Sequence, residues 1–166
     1  NHTVFTPECA RSDIQNCSDE ELQNTYDNTI AYTDFVLSEV IDSLSRLPDN
    51  IDTSMLYVSD HGESLGESGA YLHGFPYALS PNEQREIPML VWLPEPDATK
   101  VAQQQNKQQC LENIADSRAL NHDYIFHSML GLLDVESSSY QQELDFFSHC
   151  SSPIYDETLQ LAQTDE

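Results

Sequence analysis

Two short runs of consecutive apolar residues constrain the fold of this chain more than any other feature. One covers residues 54–58, and the other covers 89–93 between Pro88 and Pro94. Short runs that are apolar almost throughout are typical of strands buried on both faces of a sheet. Helical patterns lie before the first run and after the second. The alternation predicts an α/β fold, with an open sheet covered by helices on its faces.

Helix-start signals and apolar periodicity locate the two predicted helices. Ser18 and Glu21 have the spacing of a capping box, and apolar residues then recur at helical intervals over 19–46. Asn121 can cap a second helix over 122–133. Residues 95–117 are rich in glutamine and charge, so they fit either a solvated loop or an exposed helix.

The segment between the two apolar runs has few regular signals. Residues 59–86 are rich in polar residues and glycine, which predicts a long loop with room for one helical turn. A loop of this length inside a compact domain is usually functional.

The charge balance excludes several classes of partner. Six Lys and Arg residues stand against 29 Asp and Glu residues, which gives a formal net charge of -23. A free nucleic-acid-binding protein needs a basic face, and an anionic membrane surface would repel this chain. No run approaches the ~18 apolar residues of a membrane-spanning helix. The sequence starts without a methionine or a signal-peptide pattern, so we expect a piece of a larger protein.

The four cysteines favour disulfides over a metal knuckle, because none of them forms a C-x-x-C pair. Three pairings are possible, and we favour Cys9 with Cys17 and Cys110 with Cys150. Such pairs would indicate an oxidising compartment. The alternative is four reduced cysteines in a cytosolic protein.

A carboxylate and an imidazole follow the first apolar run directly. Asp60 and His61 therefore lie at the carboxyl end of a predicted strand, where ligands collect in open α/β sheets. Oxygen and nitrogen ligands together suit zinc or manganese. Glu63, Glu67 and His73 are close enough along the loop to join such a site. The plainer alternative is a loop-capping carboxylate beside a solvated imidazole.

The same region carries a family resemblance. Residues 60–77, D-H-G-E-S-L-G-E-S-G-A-Y-L-H-G-F-P-Y, resemble the signature of the lipid A phosphoethanolamine transferases. That family includes the mobile colistin-resistance enzymes and belongs to the alkaline phosphatase/sulfatase superfamily. Residues 5–9, 24–30, 81–92 and 122–132 also resemble it. The resemblance extends in order almost to Cys150, and it is weakest over 95–117 and in the tail.

The resemblance implies a fold and a location. The fold would be a three-layer α/β/α sandwich of the alkaline phosphatase/sulfatase type, with residues 1–166 as the C-terminal portion of one catalytic domain. Residues 151–166 would be a poorly ordered tail. Family members carry membrane helices in an N-terminal region and place the catalytic domain on the periplasmic face of the inner membrane. An oxidising periplasm agrees with paired cysteines.

The resemblance also implies a reaction. Family members move phosphoethanolamine from phosphatidylethanolamine to lipid A through a phospho-threonine intermediate, with the help of zinc. By motif, Asp60 and His61 would be zinc ligands. His73 would contact the transferred phosphoryl group or a second zinc, and Glu63 is a weaker candidate for the same neighbourhood.

No catalytic nucleophile is expected within these residues. The family's threonine comes from a segment before the one that resembles residues 5–9, and none of Thr3, Thr6, Thr25 and Thr29 has its motif context. The isolated chain is therefore expected to be inactive. His122, His127 and His149 are interpreted as structural.

Two other functions stay open on the sequence. One is another hydrolase of the superfamily, or a phosphoglycerol transferase, that uses the same Asp60 and His61. The other is a non-catalytic acidic binding module, in which both residues are ordinary loop groups.

Overall fold

The computed structural model describes residues 4–48, 50–95, 101–117 and 119–150. The chain divides into two compact units, Asn1–Pro94 and Glu95–Glu166. The predicted tail, 151–166, lies outside the described residues. Within the described ranges, no helix combines the length and the apolar character needed to cross a membrane.

Helix α1, Asp19–Leu44, dominates the first unit and confirms the predicted long helix. The capping box is present: the Glu21 amide donates to the Ser18 hydroxyl over 3.2 Å, and the Ser18 amide donates to the Glu21 carboxylate over 2.7 Å. That backbone hydrogen bond lowers the pKa of Glu21. The negative first turn also complements the helix dipole, so local chemistry stabilises the start of α1 at Asp19.

The segment before α1 is tied to the helix by side chains that point out of it. The Asn28 amide exchanges hydrogen bonds with the Phe5 backbone, at 2.7 and 3.1 Å. The Cys9 amide donates to the Thr25 hydroxyl over 2.8 Å. The disulfide between Cys9 and Cys17 confirms the first predicted pairing.

Two small antiparallel sheets complete the first unit. Strand β1, Met55–Val58, pairs with β4, Met89–Trp92, so that Met55 lies opposite Trp92. Strand β2, Ser64–Leu65, pairs with β3, Tyr71–Leu72. The β2–β3 hairpin lies in the segment that we interpreted as an irregular loop.

The predicted burial of β1 and β4 on both faces is wrong for the described chain. No residue of either strand is fully buried, and Leu90 is half exposed. Within the described residues these two strands pair only with each other. A two-stranded sheet has two open edges, and it cannot bury both of its faces by itself.

The second unit contains helices α2, Val101–Ser117, and α3, Asp123–Leu132. Helix α2 decides between the two interpretations of residues 95–117 in favour of a helix over 101–117, and residues 96–100 lie outside the described residues. Helix α3 confirms the predicted helix over 122–133. The disulfide between Cys110 and Cys150 confirms the second pairing. Among the described side chains of this unit, the buried apolar ones are Cys110, Ile114, Phe146 and Phe147.

The buried carboxylate of Asp145 holds together the segment that follows α3. One oxygen of Asp145 accepts a hydrogen bond from the Tyr140 hydroxyl over 2.7 Å, and the other accepts from the Phe147 amide over 2.9 Å. The bond to Asp145 is the main reason that the pKa of Tyr140 is raised. Gly131 allows helix α3 to pack closely against Asp145, because a Cβ atom at residue 131 would overlap the Asp145 carboxylate.

Candidate metal centre

The β2–β3 hairpin brings together two of the predicted site residues. Ser64 lies opposite Leu72 in the register, so the next pair outward along the two chains is Glu63 and His73. Their side chains meet, with 2.9 Å between the Glu63 Oε2 and the His73 Nδ1 atoms. The pairing of two short strands therefore brings together two side chains that are ten residues apart in the sequence.

His61 joins these residues from the end of β1. Its ring lies on the ring of His73, with 3.9 Å between centroids and 32° between planes. Its Nδ1 atom is 2.9 Å from the Gly62 carbonyl oxygen. A carbonyl oxygen can only accept, so in the neutral ring Nδ1 carries the proton and Nε2 keeps its lone pair for a ligand.

The three side chains form a group that can hold a metal ion. One ligand atom from each of His61, Glu63 and His73 lies within 4.8 Å of the other two. His73 is also oriented, because its Nδ1 donates to the Glu63 carboxylate and leaves Nε2 as the available lone pair. Two imidazoles and a carboxylate are ligands that zinc accepts.

The burial of Glu63 is the strongest sign that a ligand completes the group. Its side chain is 20% exposed, and among the described side chains its Oε1 is the one buried polar atom without a hydrogen-bond partner. A buried carboxylate oxygen without a partner is costly. A cation or a donor group on a substrate would remove that cost, so the residues present fit a metal ion.

The other predicted residues lie beside this group. The Asp60 carboxylate is 89% exposed, and its Oδ2 is 3.8 Å from the Nε2 atom of His61. Asp60 is therefore next to the three-residue group without being a member of it. Glu67 is not a member of the group either, and its carboxylate accepts a hydrogen bond from the Leu65 amide over 2.7 Å.

Gly62 is not needed for a left-handed backbone conformation. The glycines with positive φ are Gly66, Gly69 and Gly74. Gly62 is instead required by close approach, since a Cβ atom there would overlap the carbonyl oxygen of Glu83. Gln84, the residue after Glu83, is buried against the hairpin, and no sequence pattern predicted its role.

Among the histidines interpreted as structural, His127 is buried in the second unit. Its Nδ1 atom accepts a hydrogen bond from the Gln141 amide over 3.0 Å, which satisfies that nitrogen within the fold. This contact fits the structural interpretation.

Comparison with known proteins decides the family. The sulfatase family model matches residues 1–135. The chain belongs to the sulfatase family. Over 146 residues, 88% of the chain, it is 44% identical to the phosphoethanolamine transferase EptA of Escherichia coli K12. It spans 26% of that relative's length.

Two solved structures of transferase domains are similar to this sulfatase-family chain. One is the soluble domain of lipooligosaccharide phosphoethanolamine transferase A from Neisseria meningitidis, with 41% identity and a TM-score of 0.78. The match covers 90% of this chain and 44% of that one. The other is the C-terminal periplasmic domain of EptC from Campylobacter jejuni, with 39% identity and a TM-score of 0.69 over 86% and 43% of the two chains.

These neighbours confirm the predicted fold class. The chain has a mixed α/β fold and corresponds to part of a domain of the alkaline phosphatase/sulfatase type. The resemblance stated on residues 60–77 is likewise confirmed at the level of the family and its transferase homologues.

Proposed function

We propose that this chain is the C-terminal portion of the catalytic domain of a zinc-dependent phosphoethanolamine transferase. Two kinds of observation support the proposal. The first is the similarity to transferases over 88% of the chain. The second, which carries the assignment of a site, is the group of ligand atoms from His61, Glu63 and His73 within 4.8 Å of one another.

Each side chain has a proposed role in this reaction. Asp60 and His61 hold zinc, with Asp60 adding its carboxylate to the group from beside it, where its Oδ2 atom is 3.8 Å from the His61 Nε2 atom. His73 contacts the transferred phosphoryl group, or a second zinc ion, through its Nε2 atom. Glu63 keeps the His73 ring in place through the 2.9 Å contact at Nδ1, and its second oxygen is available to a ligand. When bound, zinc supplies Lewis acidity toward the phosphoryl oxygens and lowers the pKa of a coordinated nucleophile.

The proposed substrates are those of the homologous enzymes. Phosphatidylethanolamine is the donor and lipid A is the acceptor, on the periplasmic face of the inner membrane. The threonine that carries phosphoethanolamine would belong to a segment that precedes these residues. The net charge of -23 would repel lipid A phosphates at long range. We therefore assign most of the acidic residues to a surface that faces away from the membrane.

Mass spectrometry of lipid A tests the proposed activity. The complete protein is produced in a Gram-negative host that lacks its own phosphoethanolamine transferases, and lipid A gains the mass of phosphoethanolamine. His61→Ala abolishes the gain, because it removes both a metal ligand and the ring packed on His73. Glu39→Gln on the exposed side of α1 is the control and leaves the gain unchanged. Unmodified lipid A from a well-folded complete protein would refute the assignment.

A second candidate follows from the breadth of the matching family. The sulfatase family model covers 1–135, so a hydrolase or phosphoglycerol transferase of the same superfamily could use the same site. The purified complete protein separates the candidates when it is offered model esters. Release of ethanolamine phosphate supports the transferase, and release of sulfate supports the hydrolase.

A further inference from the structure

We infer that Gln84 is a positioning residue that sets the spacing of His61, Glu63 and His73. The inference rests on the proposed function, because it assigns a role within that site. Gln84 touches none of the three side chains in the described contacts. It acts through its contacts with the backbone segments that carry them.

The first contact joins the two strands of the hairpin. The Gln84 Nε2 group donates to the Ser64 hydroxyl over 2.9 Å and to the Leu72 carbonyl over 3.0 Å. Ser64 and Leu72 form the register pair directly next to Glu63 and His73. One amide group therefore ties together the two strands at the position where the proposed site begins.

The second contact holds a strained backbone. Leu72 has a φ of +64°, in the left-handed region that a residue with a branched side chain rarely occupies. Such a conformation persists only where its surroundings enforce it, and such residues cluster at functional sites. The carbonyl of Leu72 begins the peptide bond to His73, so the amide of Gln84 fixes the direction in which the chain enters His73.

The third contact joins Gln84 to the backbone between His61 and Glu63. The Gly62 amide donates to the Gln84 carbonyl over 3.1 Å, beside the close approach to Glu83. Gly62 separates His61 from Glu63. Residue 84 therefore fixes the backbone on both sides of the group, once through its main chain and once through its side chain.

The surroundings of Gln84 select an amide in one orientation. The residue is only 7% exposed, and its Oε1 accepts from the Ser80 hydroxyl over 3.3 Å. The Nε2 group is thereby directed at the hairpin. A carboxylate at this position would place an acceptor against the Leu72 carbonyl, and a methionine would fill the space without any donor.

The test compares variants of the full chain in cobalt and zinc titrations. Gln84→Met keeps the length of the side chain and removes the donors, and we expect about 10-fold weaker binding or more, with an altered cobalt absorption spectrum. Ser64→Ala leaves the Leu72 bond in place and gives a smaller loss. Thr25→Ala is the matched control: it removes hydrogen bonds to the Cys9 and Glu21 backbones in the same unit and leaves the affinity unchanged.

Metal-free NMR separates this inference from the proposed function. Cross-peaks between the His61 and His73 rings, 3.9 Å apart, are expected in the wild-type chain and lost in Gln84→Met. If the wild-type chain binds neither metal, the metal assignment fails and the cross-peaks alone decide the role of Gln84. If Gln84→Met is merely less stable, with unchanged affinity and cross-peaks, the inference is overturned. If it does not fold, Gln84→Glu and Ser64→Ala are measured in its place.

Discussion

The hairpin around Glu63 and the turn around Asp145 each hold a carboxylate with little exposure, and they treat it in opposite ways. Both oxygens of Asp145 are bonded within the chain, to the Tyr140 hydroxyl and the Phe147 amide. In Glu63, the Oε2 atom accepts a hydrogen bond from the His73 ring, and the Oε1 atom has no hydrogen-bond partner. The Asp145 carboxylate therefore stabilises the fold of its unit, whereas the Glu63 carboxylate has one oxygen available to a ligand.

This difference gives a physical criterion for separating structural from functional acids. Satisfied buried groups contribute to stability, and an unsatisfied buried group lowers it until a ligand binds. Substitution of Asp145 should thus lower stability without affecting metal binding. Substitution of Glu63 should do the reverse.

Removal of the disulfide near Asp145 should have the largest effect on stability. Cys110 and Cys150 are 40 residues apart, so loss of their bond by Cys110→Ser with Cys150→Ser costs about 4 kcal/mol of unfolding free energy in the chain-entropy model. Urea denaturation followed by circular dichroism measures it. The matched pair Cys9 and Cys17, 8 residues apart, should cost about 2–3 kcal/mol. Equal losses for the two pairs would contradict the entropic explanation.

Asp145→Ala tests the satisfied carboxylate itself. It leaves the Tyr140 hydroxyl and the Phe147 amide without their acceptor, and we expect a loss of about 2–3 kcal/mol. Zinc affinity should not change. Chemical denaturation and calorimetric zinc titration of the same sample provide both values, and a stable Asp145→Ala variant would refute the structural role.

Glu63→Gln tests the unsatisfied carboxylate. Zinc affinity should fall about 10- to 100-fold, because the site loses an anionic oxygen and the acceptor that orients His73. The free energy of unfolding without metal should change by less than about 1 kcal/mol, since the lost group was incompletely satisfied. Glu39→Gln on the exposed side of α1 should alter neither quantity. A large stability loss in Glu63→Gln with intact zinc binding would reverse the comparison.

Tyr140→Phe gives the smallest expected effect and a pH signature. The hydrogen bond to Asp145 raises the pKa of Tyr140, so the folded state favours the neutral phenol. Its contribution is fully present below the unfolded pKa of about 10 and is lost as pH rises through the raised folded value. At neutral pH the free energy of unfolding of the variant should be about 1 kcal/mol lower than that of the wild-type chain. The variant should not show the additional decrease in stability at alkaline pH. Parallel alkaline profiles for the two proteins would show that Tyr140 makes no such contribution.

Features encoded by neighbouring residues were predictable from the sequence. Ser18 and Glu21 lie three residues apart, and their capping box located the start of α1. The placement of Asp60 and His61 after an apolar run pointed to the segment in which His61, Glu63 and His73 come together. The disulfides were predictable for a different reason, because four cysteines allow only three pairings, and both favoured pairs are present.

Features that depend on distant contacts were not predictable. Strands β2 and β3 have two residues each, too few to show a period, and β3 contains Leu72 at positive φ. A helical interpretation of 95–117 could not be preferred, because that segment has no clear apolar face. Glu63 received too little weight, since its burial and its pairing with His73 exist only after the hairpin has formed.

The register of the hairpin also makes the number of residues between Glu63 and His73 significant. These residues face each other because Ser64 lies opposite Leu72. Side chains alternate between the two faces of a strand, so the gain or loss of one residue in β2 or β3 would turn one partner toward the opposite face. Ser68→Asn, at an exposed position with a φ of +55° that asparagine tolerates, would leave the pairing intact. In this family we therefore expect insertions and deletions to be rarer in this stretch than point changes.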